Sequence, residues 1–378
     1  MKDVRRHGQD VILTMTIDPN LTDDYLIKIA QELRTYGRMQ LRINHEATGN
    51  WFSFTKRATY QQIADFYVRF HNIIKKEAPN VSTILCIGGV EHPEKGGEIE
   101  MEKEFADAVR ATDIWSVDKY MSLHWGWPYD VADVGGTSFG RSKVSDTYNL
   151  TKLSQKRYKE LCGGVQKPMV MSEFNADGDV TGPYDQAAMV KEFCDMLKAD
   201  GESWFSGFTF YQFRDRGRLG LEIQDPNYAD CGIEQPVMKT YKEIIHDDFF
   251  KPTMTRGDEV TLPCTLRWGG SEDAEGLEIP LHFEKNPHFC EVTFDDDSNI
   301  MMEINGKWFY KSPEAKTIDL MAAFFEKPLD GEADLTLRLF APPASGENDL
   351  SIEDGLMNSY TEIKKLPNIR IRFEPVEL

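Results

Sequence analysis

The feature that most constrains this chain is a change of hydrophobic period near residue 250. Before it, six nearly continuous apolar runs alternate with amphipathic stretches. The runs are DVILTMTI (10–17), MQLRIN (39–44), STILCIG (82–88), IWSVDKYM (114–121), PMVMSEF (168–174) and FSGFTFYQF (205–213). Strands that are apolar along their whole length suit a parallel sheet covered on both faces. The stretches between them carry a 3.6-residue period. One starts at Thr22 with Asp23 and Asp24 in its first turn. It sets Leu26, Ile29, Ala30 and Leu33 on one face and stops at Gly37. The next has a capping box from Thr59 to Gln62, a stripe of Ile63, Phe66, Tyr67, Phe70, Ile73 and Ile74, and a stop at Pro79. Further helices are expected over about 100–111, 147–162 and 184–199. Repeated strand–helix units predict an α/β fold, either a barrel or a doubly wound sheet.

After KPTMTRGDE the helical period vanishes. Short alternating runs follow: VTLPCTLRW, LEIPLHF, CEVTF, IMMEI, KWFY, IDLMAAFF, DLTLRLF and IRIRF. Asn305-Gly306, between IMMEI and KWFY, predicts a tight hairpin of type I′. Strands at this spacing predict an all-β sandwich. The expected domains are therefore 1–250, α/β, and 256–378, β-sandwich. Asp295, Asp296 and Asp297 read as a solvated turn.

Composition excludes some classes of function. The 378 residues suit one large domain with a smaller one. A formal charge of −20 argues against nucleic acid, whose phosphates need Lys and Arg to displace their counterions. No apolar run approaches the roughly 20 residues that span a bilayer. Cys86, Cys162, Cys194, Cys231, Cys264 and Cys290 are scattered without metal spacing and read as buried thiols. No metal or cofactor is expected. Met1 is followed by KDVRRHG, which lacks the apolar core of a signal peptide.

Two segments carry chemistry. RINHEATGNWF (42–52) lies where the second run ends, and MVMSEFNA (169–176) where the fifth ends. In a parallel barrel, reactive groups project from the C-terminal strand ends, so Glu46 and Glu173 would face one cleft. Glycosidic cleavage needs two carboxyl groups, one acidic and one ionised. Arg42, His45, Trp51 and Phe52 surround the first, and aromatic faces beside polar groups suit a sugar ring. HE here is no zinc motif, since no second His lies four residues on.

RINHEATGNWF resembles the acid/base segment R-x-x-H-E-x-x-G-x-W-[FY] of glycoside hydrolase family 26, a family of (β/α)8 retaining enzymes best known for β-mannanases. Arg42, His45, Glu46, Gly49, Trp51 and Phe52 match it. Ser172-Glu173-Phe174 is similar to the nucleophile segment, and the likeness covers roughly residues 10–215. It implies a (β/α)8 barrel, Glu46 as acid/base, Glu173 as nucleophile, His45 as a donor at the cleavage subsite and Tyr120 as the tyrosine that holds the nucleophile. It also implies a β-linked polysaccharide substrate (mannan, xylan or glucan type) and a secreted or periplasmic enzyme. Counted this way, the first visible run is strand three, and the start of the barrel is expected to be missing from this chain. Asn44 departs from the family, which often has a small residue or proline there.

SLHWGWPYD (122–130) opens a long loop where His124, Trp125, Trp127 and Tyr129 could stack on sugars. Tyr211, Gln212 and Arg214 end the last run on the same side. Arg214, Asp215, Arg216 and Arg218 read equally as a solvated face or a substrate clamp. The alternative to a hydrolase is a carbohydrate-binding barrel without catalysis.

Overall fold

The computed structural model describes residues 11–36, 39–121, 144–250, 258–261, 265–268, 275–294, 300–311, 317–320, 323–324, 331–340 and 369–375. Its first part is one parallel sheet of six strands: β1 (Ile12–Met15), β2 (Met39–Ile43), β3 (Val81–Cys86), β4 (Ile114–Ser116), β5 (Met169–Phe174) and β6 (Gly207–Phe210). They pair in sequence order from β1 to β6. A doubly wound sheet reverses its order at a switch point. This sheet never does, so every crossover advances the chain the same way and the strands form a half-barrel.

The longer helices are α1 (Asp23–Leu33), α2 (Tyr60–Glu77), α3 (Glu102–Ala111), α4 (Val144–Leu161), α5 (Pro183–Asp200) and α6 (Pro236–His246). Each packs beside the next, which places them on one face of the sheet. The capping box of α2 forms as its sequence requires. Thr59 Oγ1 accepts from the Gln62 N–H, and Gln62 Oε1 accepts from the Thr59 N–H. Its stripe then buries Ile63, Phe66, Tyr67, Phe70 and Ile74, each side chain contributing about 1.5–3 kcal/mol of transfer free energy.

Three differences from the sequence expectation have physical causes. The run 114–121 is a strand only to Ser116. Beyond Val117 the chain leaves the ladder, and Asp118 and Tyr120 reach the C-terminal rim. Helix α6, opened by Pro236 at its first turn, was not anticipated. Neither was a small sheet of β7 (Arg214–Asp215), β8 (Glu222–Gln224) and β9 (Gly232–Glu234), whose strands are too short to show a period. The thiols also depart in part: Cys86, Cys194 and Cys290 are buried, but Cys231 is exposed. Cys264 lies outside the described residues.

The C-terminal part forms two antiparallel sheets. One orders β10 (Asp258–Thr261), β18 (Ile369–Pro375), β13 (Pro287–Phe294) and β16 (Thr317–Asp319). The other orders β11 (Thr265–Trp268), β12 (Glu275–Phe283), β17 (Ala333–Phe340), β14 (Ile300–Ile304) and β15 (Lys307–Lys311). Cys290, Val292 and Ile318 of the first share a core with Leu281, Phe283, Met302, Ile304, Leu335 and Leu337 of the second. Asn305 and Gly306 turn the β14–β15 hairpin with φ of 47° and 80°, the two positive angles that a type I′ turn demands. Pro280 lies inside β12, opposite Thr336 of β17. The Asp295–Asp297 turn lies outside the described residues. No helix among the described residues is long and apolar enough to cross a membrane.

Candidate active site

The register of β1 against β2 sets Thr14 opposite Arg42. Arg42 Nε donates to Thr14 Oγ1 at 3.0 Å. Its other nitrogens reach across the sheet: Nη2 to Glu173 Oε1 at 2.8 Å and Nη1 to Asp118 Oδ2 at 3.4 Å. The Arg42 side chain is 8% exposed, so this charge is neutralised inside the fold rather than in water.

After β2 the chain turns sharply. Asn44 and Glu46 both have positive φ, 46° and 49°. The left-handed region is uncommon for residues other than glycine, and Asn is the side chain that tolerates it best. The Asn44 carboxamide secures the turn, accepting from Ile17 N–H at 2.6 Å and donating to Ile17 O at 3.0 Å. The departure at Asn44 thus has a structural use, which is to bend the strand end. His45, Glu46, Trp51 and Phe52 follow from this bend. The His45 ring meets Phe52 edge-on at 4.4 Å, and Phe52 stacks on Phe54 at 5.4 Å. Trp51, 51% exposed, donates its indole N–H to Glu46 Oε2 at 3.1 Å.

Glu173 ends β5. Tyr120 donates to its Oε2 at 2.8 Å, and Arg42 holds its Oε1. Beneath it runs a relay of polar groups that sequence reasoning missed. Ser172 Oγ and the Glu173 backbone N–H both donate to Asp118 Oδ1 at 2.9 Å, while the Cys86 thiol donates to Asp118 Oδ2 at 3.2 Å. Ser116 Oγ lies 2.6 Å from Ser172 Oγ. Asp118, with a side chain 1% exposed, is therefore the hub that orients both Arg42 and the strand bearing Glu173. A lone Asp inside VDKYM gave no signal in the sequence beyond its place at a strand end. Asn175 was missed as well. Fully buried, it donates to Tyr211 O at 2.9 Å and to Leu219 O, and its own carbonyl accepts from Met121 N–H at 3.0 Å. It ties the ends of three chain segments together. Tyr211 meets Tyr120 edge-on at 6.1 Å.

The electrostatics of the two glutamates differ. Burial, then the charges of Asp118 and Glu173, push the Glu46 carboxyl up to about 7; the Trp51 N–H and Arg42 act against this. Burial, then Arg42, pushes His45 down, which favours the neutral ring. Burial, then Glu173, raises the Tyr120 phenol and keeps it a donor. Burial and the charge of Glu173 push Asp118 up, and Arg42 pulls it back. One oxygen from each of Glu46, Asp118 and Glu173 lies within 4.8 Å of the others. Such a set could hold a cation, but its positive partner in the fold is the Arg42 guanidinium.

The structure thus brings Arg42, His45, Glu46, Trp51, Phe52, Tyr120, Glu173 and Tyr211 to one rim. His124, Trp125, Trp127 and Tyr129 lie outside the described residues. Arg214 is not part of the cluster: it pairs with Glu222 at 2.8 Å and donates to Asp230 O. Arg218 binds Gln235 and, through its N–H, Asp179. Both are structural ties rather than a substrate clamp.

No family model and no curated relative matches the sequence. Among solved structures, a family 51 α-L-arabinofuranosidase from Bifidobacterium longum is similar at 11% identity and a TM-score of 0.45, over 90% of this chain and 79% of that one. A GH86 protein in complex with neoagarooctaose is similar at 13% identity and a TM-score of 0.45, over 89% of this chain and 61% of that one. The GH53 catalytic domain of Ignisphaera aggregans is similar at 13% identity and a TM-score of 0.36, over 56% of this chain and 65% of that one.

Proposed function

We infer that this chain is a retaining glycoside hydrolase acting on a β-linked polysaccharide, with its half-barrel as part of a (β/α)8 barrel and its antiparallel sheets as a β-sandwich. The observation that carries this reading is the pairing of Glu46 with Glu173. One oxygen of each lies within 4.8 Å of one of the other, and their surroundings are opposite in kind. Retaining enzymes place the two carboxyl groups about 5–5.5 Å apart, whereas inverting enzymes leave roughly 6.5–9.5 Å for a water.

Each residue has a part in the two steps. Glu173 attacks the anomeric carbon, its oxygens aimed by Arg42 and Tyr120. Glu46, raised to about 7, carries the proton that the leaving oxygen takes. The ester to Glu173 is then hydrolysed by a water that gives its proton to Glu46, restoring both groups. Neutral His45 offers a hydrogen bond without adding charge, and Trp51 offers an exposed aromatic face at the cleft.

The test is reducing-end release from mannan, xylan and mixed-linkage glucan, beside Glu46→Gln and Glu173→Gln. Release by the wild type that both variants lose supports the reading. Retarded migration in gels containing the same polysaccharides, without release, replaces it with a carbohydrate-binding protein.

A further inference from the structure

The loop that carries Glu46 folds back on itself. Gly49 N–H donates to Glu46 O at 2.8 Å, closing a four-residue turn. Two residues later the Trp51 indole comes against Gly49 of that turn. A Cβ built on Gly49 would stand 2.5 Å from Cζ2, 2.7 Å from Cε2 and 2.7 Å from Cη2 of the indole. Side-chain carbons do not approach so closely, so any other residue at 49 forces the ring away. Gly49 is itself buried, and its neighbour Trp51 is half exposed, so it is the ring that would yield.

We propose that Gly49 is a positioning residue: by lacking a side chain it seats the Trp51 indole against the Glu46–Gly49 turn, and so brings the indole N–H to Glu46 Oε2. The indole is the neutral donor in a set of charged and titratable neighbours. Arg42 comes from β2, Asp118 from the segment after β4, Glu173 from β5, Tyr211 from the segment after β6, and His45 is the adjacent residue. Asp118 and Glu173 favour the proton on Glu46, and Arg42 and the indole disfavour it. Gly49 therefore tunes the protonation of Glu46 through the indole, beside the larger effect of burial, without itself touching a reacting atom. The kinetic consequence rests on the glycosidase reading; the geometric one does not.

Two measurements separate them. The first follows the indole N–H resonances of the wild type by proton–nitrogen NMR across pH, with the Trp51 signal assigned by its loss in Trp51→Phe. Its shift should titrate with Glu46, disappear as a titration in Glu46→Gln, and be lost or strongly reduced in Gly49→Ala. The second is the pH profile of kcat/KM. Removing a donor that favours the ionised carboxylate raises the pKa of Glu46. The alkaline limb should then move up by about 0.7 pH units, the size of one neutral hydrogen bond. Gly49→Ala and Trp51→Phe should shift it alike, and the double variant no further. If the wild-type Trp51 resonance does not titrate, or Gly49→Ala leaves it unchanged, the proposal is overturned. If the resonance behaves as stated but the wild type hydrolyses nothing, the seat stands and the glycosidase reading falls. If Gly49→Ala fails to fold, Gly49→Ala/Trp51→Ala should fold, since the clash is gone; failure of that variant also overturns the proposal.

Discussion

The phenol of Tyr120 donates to one oxygen of Glu173 at 2.8 Å, and Arg42 donates to the other at the same distance. Both oxygens of this carboxylate have strong donors. Glu46, in the same small cluster, meets a neutral indole N–H at 3.1 Å and is pushed up to about 7, chiefly by burial. Two glutamates with one side chain in common are thus given different tasks by their neighbours.

Their roles separate by chemical rescue. Glu173→Ala should abolish turnover on every substrate, since no covalent intermediate can form. Glu46→Ala should retain activity on activated aryl glycosides, whose leaving groups need no proton, and azide should rescue it as a β-glycosyl azide. Rescue of Glu173→Ala to a β-product, with none for Glu46→Ala, would reverse the assignment.

The stereochemical outcome is a second measurement. On the double-displacement reading, with one oxygen of Glu46 within 4.8 Å of one of Glu173, the first-formed product should keep the anomeric configuration of the substrate. Proton NMR in the first minutes of reaction reads this before mutarotation. An inverted product contradicts the double displacement.

Asp118 supplies a third test. Asp118→Asn keeps the shape but turns one of the two oxygens that accept from Ser172, the Glu173 N–H, Cys86 and Arg42 into a donor, which should lower stability. The charge of Asp118 also raises Glu46, so its removal should lower the pKa of Glu46. The alkaline limb of kcat/KM should move to lower pH, opposite to the shift expected of Trp51→Phe. A profile that stays put, or moves up, would show that Asp118 does not act on Glu46.

Stability should depend on pH through Glu46 itself. Its folded value, about 7, lies above its ordinary value of 4.5. Between these limits the native state holds the proton more tightly than the unfolded chain, so stability falls as pH rises through the window. Glu46→Gln removes this dependence. In urea melts the variant should exceed the wild type by about 2 kcal/mol at pH 8, allowing for solvent screening, and lose that advantage by about pH 4. Equal stability at both pH values would count against the burial of this group.

The capping box of α2 provides a control remote from the cleft. Thr59→Ala should cost about 1 kcal/mol and leave the pH profile unchanged. A change in that profile would show that α2 communicates with the carboxylates.

Much of the α/β part was legible because it rests on local periods. The stripe from Ile63 to Ile74 could bury itself only as a helix, and runs such as MQLRI and MVMSEF only as covered strands. The type I′ turn at Asn305-Gly306 was legible for the same local reason. Helix α6 and strands β7 to β9 were not, because segments of two or three residues carry no period and α6 follows directly on them. Arg214 was ambiguous in the sequence because a guanidinium in a charged loop takes whichever carboxylate the fold delivers, here Glu222.

The residue order by itself determined the ends of the runs 39–44 and 168–174, and so that Glu46 and Glu173 stand near strand ends with Arg42, His45 and Trp51 close to the first. Only the tertiary structure decided what each carboxylate meets. Arg42, Asp118 and Glu173 come from three different strand ends, and their mutual distances depend on the register of β2, β3, β4 and β5. Electrostatic energy varies with distance and with the exclusion of water, and neither is a property of any local segment. For that reason Asp118, an unremarked aspartate in VDKYM, becomes the buried hub of the site, while the Arg214 guanidinium turns to Glu222.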